Sequence, residues 1–184
     1  MISLVMDTSN SYLAVGLFQD NMCLEAFQEK GSRRQSEKAI PTLKEVLDRH
    51  HIALKDVNEM IITSGPGSYT GVRVAMTIAK TLAAVSDVRI KSVSSLAAYA
   101  GMSQALSVID ARGHKVFVGV YENGLPLIKE QVVALEDFAQ LRAEYGDFEL
   151  VGEIGCLVLD EKECDLCANI YALGQMADPI ENVD

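Results

Sequence analysis

Three short apolar runs open the chain. "ISLVM" from Ile2 is almost continuously apolar, "SYLAVGLF" from Ser11 alternates, and "MCLEAF" from Met22 follows the turn-like Gln19, Asp20 and Asn21. Runs of this length bounded by turn residues predict strands, and the short connections predict an antiparallel meander. From Ser36 the period changes to that of a helix: Ile40, Leu43 and Leu47 recur on one face, with Lys38, Lys44, Glu45, Asp48 and Arg49 elsewhere on the wheel. Pro41 is expected in the first turn of that helix, where its missing N–H costs nothing. "EMIIT" then reads as a strand, Thr70 to Ala84 as a helix, "IKSV" as a strand and "SSLAAYAG" as a short helix.

The helix from Thr70 is unusual in its pattern. Arg73, Thr77, Lys80 and Thr81 form one narrow polar stripe, and Val72, Ala75, Met76, Ile78, Ala79, Leu82 and Ala83 make the remainder apolar. Covering one sheet face takes an apolar stripe of about 100°, so this helix has apolar surface left over. Part of it falls to the preceding helix, with Ala39, Ile40, Leu43, Val46 and Leu47. Ala75, Ala79 and Ala83, spaced by four, permit close helix approach, so the pair either completes its packing within one lobe or presents an apolar patch to another subunit.

The chain also matches itself. At an offset of 103, "VMDTSNSYLAVGLFQDN" from Val5 lies over "VIDARGHKVFVGVYENG" from Val108, with Asp7 over Asp110 and Gly16 over Gly119. "LIKEQVVAL", a helix near Glu136 to Glu144 and the strand "FELV" come next, so the second half begins as the first does. The expected organisation is α/β, with an N-terminal lobe over residues 1–104 and a smaller C-terminal lobe over 105–184. Beyond about Phe148 no motif is legible.

Composition narrows the setting. The 184 residues are 49% hydrophobic, enough for one substantial core or two small lobes sharing an interface. The N-terminus carries no basic segment followed by an apolar run, and no apolar stretch is long enough for a membrane span. With four cysteines and no secretion signal, a reducing cytoplasm is expected. Twenty-six acidic against sixteen basic residues give a net charge of −10, which opposes direct contact with nucleic acid and suits a basic protein partner.

The candidate chemistry gathers around "SGPGSYTGVR". A strand runs into Gly65, Pro66 and Gly67, and a helix starts near Ser68, so unpaired amides and the positive end of a helix dipole are available to an anion. The spacing is not that of a Walker loop, and a purely structural turn is the competing reading. Gly65, Gly67 and Ser68 are the phosphate-site candidates of this loop. His50, His51 and His114 are not spaced as a metal set. Cys164 and Cys167 form a single C-x-x-C, open to structural, zinc or redox readings.

In order, "MDTS", "RRQSEKAIP", "SGPGSYTGVRVAMTIAKTLA" and "VIDARGHKVFVGVY" resemble the bacterial TsaB (YeaZ) family, paralogues of TsaD within the M22-like glycoproteases. The resemblance implies a two-lobed, duplicated actin-like or Hsp70-like ATPase fold (ASKHA), with mixed central sheets and a nucleotide cleft between lobes. It also implies a chain continuing past Asp184, and a vestigial phosphate site in which Asp7 and Asp110, each ending its lobe's first strand, join Gly65, Gly67 and Ser68. TsaD carries two metal-binding histidines four residues apart after this loop, where this chain has Ser95 and Tyr99. Kinases of the superfamily place glycine two residues after each aspartate, where this chain has Ser9 and Arg112, the latter expected to fill the cleft rather than to bind an anion there. Many relatives carry histidine at the position of Gln35.

The resemblance further implies a non-catalytic subunit. It would bind TsaD and work with TsaE in forming threonylcarbamoyladenosine next to the anticodon in tRNAs reading codons that begin with A. The expected interface is the helix pair, through Ile40, Leu43, Leu47, Val72, Ala75, Met76, Ala79 and Ala83, used for a homodimer in isolation. No catalytic residue, metal or resident cofactor is expected, with ATP or ADP entering only at the interface with TsaD. The alternatives are a stand-alone kinase or ATPase, a metal-dependent glycoprotease, or a homodimer acting at the cell envelope.

Overall fold

Alternating burial along β1 (Ile2–Asp7) sets the layering: Leu4 and Met6 point to one side of a sheet and Val5 to the other, and all three are fully buried. A strand buried on both faces belongs in the middle of a sheet, and β1 sits there. The computed structural model describes residues 1–31 and 34–181. Arg33 of "RRQSEKAIP" and the chain end at Asp184 lie outside the described residues.

β1 pairs antiparallel with β2 (Tyr12–Gln19), and β2 with β3 (Met22–Lys30). The β2–β3 turn is made by Asp20 and Asn21, residues whose short polar side chains tolerate the positive φ found at both. β4 (Glu59–Thr63) and β5 (Arg89–Val93) add in parallel, in the order β3-β2-β1-β4-β5. Helices α1 (Gln35–Arg49) and α2 (Tyr69–Val85) cover one face, burying Ala39, Leu43 and Leu47 with Ala75, Ala79 and Leu82 against Leu4, Met6 and Ile62. Pro41 stands inside α1 rather than in its first turn. It lies on the exposed side, where the carbonyl it cannot pair faces water.

The second sheet repeats the first. β6 (Ala105–Arg112) and β7 (Lys115–Glu122) pair as β1 and β2 do, and their following turn uses Asn123 and Gly124, the positions 103 residues after Asp20 and Asn21. The place of β3 is taken by two short pieces on β7, β8 (Leu125–Pro126) and β9 (Gln131–Ala134). After α4 (Leu135–Glu144), β10 (Glu149–Gly152) lies parallel to β6 as β4 does to β1. The copy then stops short. A single helical turn at Ile154–Leu157 stands where the first lobe has a long helix and a fifth strand.

Two helices lie between the sheets and are exchanged between the lobes. α3 (Ser95–Ala100), from the first half, packs on β6, β7 and β10; α5 (Leu166–Met176), from the second half, packs across all five strands of the first sheet. A buried polar network holds α5 there. Glu59 is fully buried beside the Lys91 ammonium at 3.2 Å, accepts from Ser3 Oγ and Gln175 Nε2, and Lys91 Nζ donates to the Gly174 carbonyl. The division at residue 104 therefore separates the two sheets but not the two cores, because the first sheet's inner face is covered by a helix from the C-terminal half.

Candidate functional site

The loop after β4 is bound tightly to the β1–β2 turn. Ser68 N–H donates to the Ser9 carbonyl at 2.6 Å, Asn10 Nδ2 donates to the Pro66 carbonyl, and Ser95 N–H donates to the Gly65 carbonyl at 2.7 Å. Ser68 Oγ caps α2 by accepting from Gly71 N–H, and Thr8 Oγ1 donates to the Gly71 carbonyl at 2.6 Å. A Cβ at Gly71 would stand 1.9 Å from the Thr8 carbonyl oxygen, so this glycine is required for α2 to approach the strand end. At Ser68 and Gly71, amides at the start of α2 that read as an anion cradle are engaged by the chain itself.

Asp7 is buried at the centre of this junction. Its Oδ1 accepts from Ser9 N–H (2.8 Å), Ser9 Oγ (2.6 Å) and Thr63 Oγ1 (2.5 Å). Burial pushes its carboxyl above the usual aspartate range, and those hydrogen bonds only partly offset it. Asp110 makes the same bond two residues on, accepting from Arg112 N–H at 2.7 Å. Both aspartates thus serve as turn acceptors. Arg112 does not fill the cleft: its backbone is left-handed (φ 65°), its side chain is 90% exposed, and Nη1 lies 3.5 Å from Asp110 Oδ2.

Ser95 and Tyr99 fall on the buried face of α3. Ser95 Oγ is 2.8 Å from Ser9 Oγ, and the Tyr99 hydroxyl has no hydrogen-bond partner among the described residues. Burial first, and then the charges of Glu153 and Asp7, push the Tyr99 phenol far above its usual range, so it stays protonated. Gln35 Nε2 donates to the Asn10 carbonyl at 2.9 Å, tying α1 to the same turn. Across the junction, Glu153 of the second lobe accepts from Ser11 N–H at 2.7 Å and from Ser11 Oγ. Nothing in the sequence pattern marks Glu153, because its role depends on the two lobes meeting.

The remaining polar candidates do not converge. His50 Nε2 pairs with Glu25 Oε2 at 2.9 Å, while His51 and His114 sit at left-handed turn positions. Burial pushes the Cys164 thiol up to about 11 and Cys167 up to about 12, the protonated, inert condition of packed thiols. Among the described residues, no three His, Cys, Asp or Glu side chains gather closely enough to hold a metal ion, and no helix is long and apolar enough to cross a membrane.

The α1–α2 pair presents a groove of about 450 Å³ on the outer face of the first lobe, lined by Ile40, Tyr69, Val74 and Ile78 with Arg73 and Thr77. Ile40 is 59% and Tyr69 75% exposed. Arg73 lies over the Tyr69 ring, and its Nη1 donates to the Tyr69 hydroxyl at 2.7 Å. Four of the residues expected at this surface are instead core. Leu43, Leu47, Ala75 and Ala79 are at most 6% exposed, because the two helices and the sheet together need them. Val72, Met76 and Ala83 are partly buried and are not among the residues that line the groove. A second cavity, about 430 Å³, lies between the Gly65 loop and the second sheet, with Phe117 and the acidic Glu130 in its lining.

Residues 28–153 match the family described as "TsaD: tRNA N6-adenosine threonylcarbamoyltransferase". The tRNA threonylcarbamoyladenosine biosynthesis protein TsaB of Bacillus subtilis is 33% identical over 153 residues, covering 78% of this chain and 67% of that protein. The chain belongs to the TsaB (YeaZ) family. TsaB of Escherichia coli is 31% identical over 132 residues, 66% of this chain and 57% of that protein, so the matched segment is about two thirds or less of these relatives. YeaZ from Pseudomonas aeruginosa superposes with a TM-score of 0.76 at 22% identity, covering 95% of this chain and 91% of that one. This TsaB-family chain therefore shares the fold of that structure, two five-stranded sheets flanked by helices.

Proposed function

We propose that this chain is the accessory, non-catalytic subunit that binds and activates TsaD and, with TsaE, supports formation of N6-threonylcarbamoyladenosine next to the anticodon in tRNAs reading codons that begin with A. The observation that carries the reading is the α1–α2 groove, an apolar recess with an exposed isoleucine and tyrosine at its rim and Arg73 beside them. Aromatic and arginine side chains around an apolar centre are the composition of a protein interface. The same groove serves a homodimer when TsaD is absent. The loop at Gly65 supports the non-catalytic part, because its Ser68 amide and Pro66 carbonyl bond the Thr8–Asn10 turn, which packs against Gly67 and Gly71, and phosphate contacts are left to TsaD. ATP or ADP enters only at the shared interface, and the complex works in the cytoplasm.

The test is association with TsaD from the same source, followed by light scattering. Ala79 is unsuitable for it, since an aspartate at that fully buried position would unfold the lobe. Ile40→Asp places the charge on the rim instead. The native chain is expected to form a complex that Ile40→Asp weakens at least tenfold while its circular dichroism and Tm stay native, and threonylcarbamoyl transfer is expected only with TsaD present. A complex indifferent to Ile40→Asp, or transfer by this chain alone, would overturn the reading. Saturable magnesium ATP binding lost on Asp7→Asn would favour the kinase alternative.

A further inference from the structure

A methionine from each half of the chain ends on the same turn. Met102 follows α3, Met176 closes α5, and both meet the Asn123–Gly124 turn that leads from β7 to β8. A Cβ on Gly124 would stand 3.0 Å from Met102 Sδ, 3.3 Å from Met176 Sδ and 3.1 Å from Leu173 Cδ2. The bare glycine is therefore the seat on which both thioethers rest, with the buried Leu173 beside them. Thioethers suit such a seat because they are flexible, polarizable and apolar, and fill irregular gaps.

The same two side chains are open to solvent. Met102 is 45% and Met176 51% exposed, whereas Met6 and Met60 are fully buried. Exposed methionines elsewhere hold no such junction: Met22 opens β3 at the tip of a turn, and Met1 Sδ accepts from the Arg89 guanidinium. What Met102 and Met176 cover is the last turn of α5. Beside Met176, Gln175 donates to Glu59, the Gly174 carbonyl accepts from Lys91, and Gly174 lies against Ile61. Asn169 of the same helix donates to the Ala98 carbonyl of α3 at 2.9 Å, so the ends of both exchanged helices are joined here.

We propose that Met102 and Met176 form an oxidation site for hydrogen peroxide and related hydroperoxides, through which the seat of α5 on the second lobe is loosened. A sulfur lone pair attacks one peroxide oxygen, and the O–O bond breaks as the S–O bond forms. Sulfur gives up two electrons and becomes the sulfoxide; the leaving hydroxide takes the proton of the transferred oxygen and departs as water. The product is polar and chiral, and its oxygen has no room between the sulfur and Gly124, so the side chain turns to water and uncovers Leu173. The site is on the α5 side of the first sheet, opposite α1 and α2, so the inference stands apart from the contact proposed with TsaD.

The experiment treats the full chain with millimolar hydrogen peroxide, then with dithiothreitol to return oxidised thiols, and maps the product by peptide mass spectrometry. Met102 and Met176 are expected to gain one oxygen each while Met6 and Met60 gain none. Tm is expected to fall by about 2–6 °C, and amides in the last turn of α5 to exchange roughly fivefold faster. Methionine sulfoxide reductases supplied with a dithiol should reverse both changes. Met102→Leu/Met176→Leu, a swap of similar volume, should fold with a near-native Tm and lose little of it to peroxide, whereas Met22→Leu should lose as much as the native chain. The exchange measurement on the native chain needs no variant and stands even if the two leucines disturb folding. The proposal fails if Met102 and Met176 resist peroxide that oxidises Met22, or if their oxidation leaves Tm and exchange unchanged. It fails equally if the double variant loses as much as the native chain, or if the reductases leave the loss in place.

Discussion

Asp7 shows how a carboxylate at a strand end is taken up by the turn that follows it. All three of its hydrogen bonds fall on Oδ1, which an asparagine also carries. Because burial raises its pKa above 3.8, the folded state holds the proton more tightly than the unfolded state does. Stability therefore declines as pH rises from the unfolded value through the folded one, and the penalty is complete above it. Asp7→Asn removes that penalty, so its Tm should exceed the native value at pH 7, with the advantage shrinking toward pH 4. Paired calorimetric scans at the two pH values decide this, and a variant that is less stable at pH 7 than at pH 4, relative to native, would give the charge a role that the packing does not. Asp7 and Asp110 are both legible in the sequence as turn acceptors by their place at strand ends. Which of them is buried is not legible: Asp110 lies two residues before the end of β6 and stays partly exposed, whereas Asp7 ends β1 in a fully buried position where Ser9 and Thr63 close over it.

At the scale of elements, α5 depends on a polar anchor more than its composition suggests. Burial alone would raise the Glu59 carboxyl, but hydrogen bonds from Gln175, Ser3 and Lys91 and the Lys91 charge outweigh it and hold the pKa low. Its stabilisation is present above pH 4.5, the unfolded value, and is lost as pH falls through the folded one. Removing one partner exposes the other: Lys91→Met should cost about 3–5 kcal/mol in urea unfolding, since a fully buried carboxylate is left without its cation. Adding Glu59→Gln should recover a large part of that loss. If the single and double variants were equally unstable, the ion pair would not be what holds α5 in place. No sequence period announces this helix. Its exposed and partly exposed stripe of Ala168, Ala172, Gln175 and Met176 is itself largely apolar, so there is little polar face to set against the buried one. The same reasoning explains α2 in reverse: its wide apolar surface read as an excess for a partner, yet Ala75 and Ala79 are consumed by the lobe's own core, and the groove that remains is bordered by Tyr69, a residue no periodicity singles out.

For the whole molecule, exchange of α3 and α5 means that neither lobe has a complete core of its own. A fragment of residues 1–104 keeps the first sheet but loses α5 from its inner face, exposing Val5, Ala14, Phe18 and Ile61. Such a fragment should lack a cooperative unfolding transition, whereas the full chain should unfold in one step by both near- and far-ultraviolet circular dichroism. Two separate transitions in the full chain would show the lobes to be independent.

The order of strands and helices through the first 100 residues, the repeat at 103 positions and the turn at Asp20 and Asn21 derive from the sequence alone, because periodicity and turn chemistry act between near neighbours, whereas the short strands β8 and β9 do not show in it. Tertiary structure alone decided that the glycine loop binds the Thr8–Asn10 turn, that α5 returns to the first sheet, that Leu43, Leu47, Ala75 and Ala79 are core, and that Glu153 meets Ser11. Each of these joins segments distant in the chain, and their pairing is selected by which surfaces the two sheets leave uncovered, a quantity that no local pattern carries.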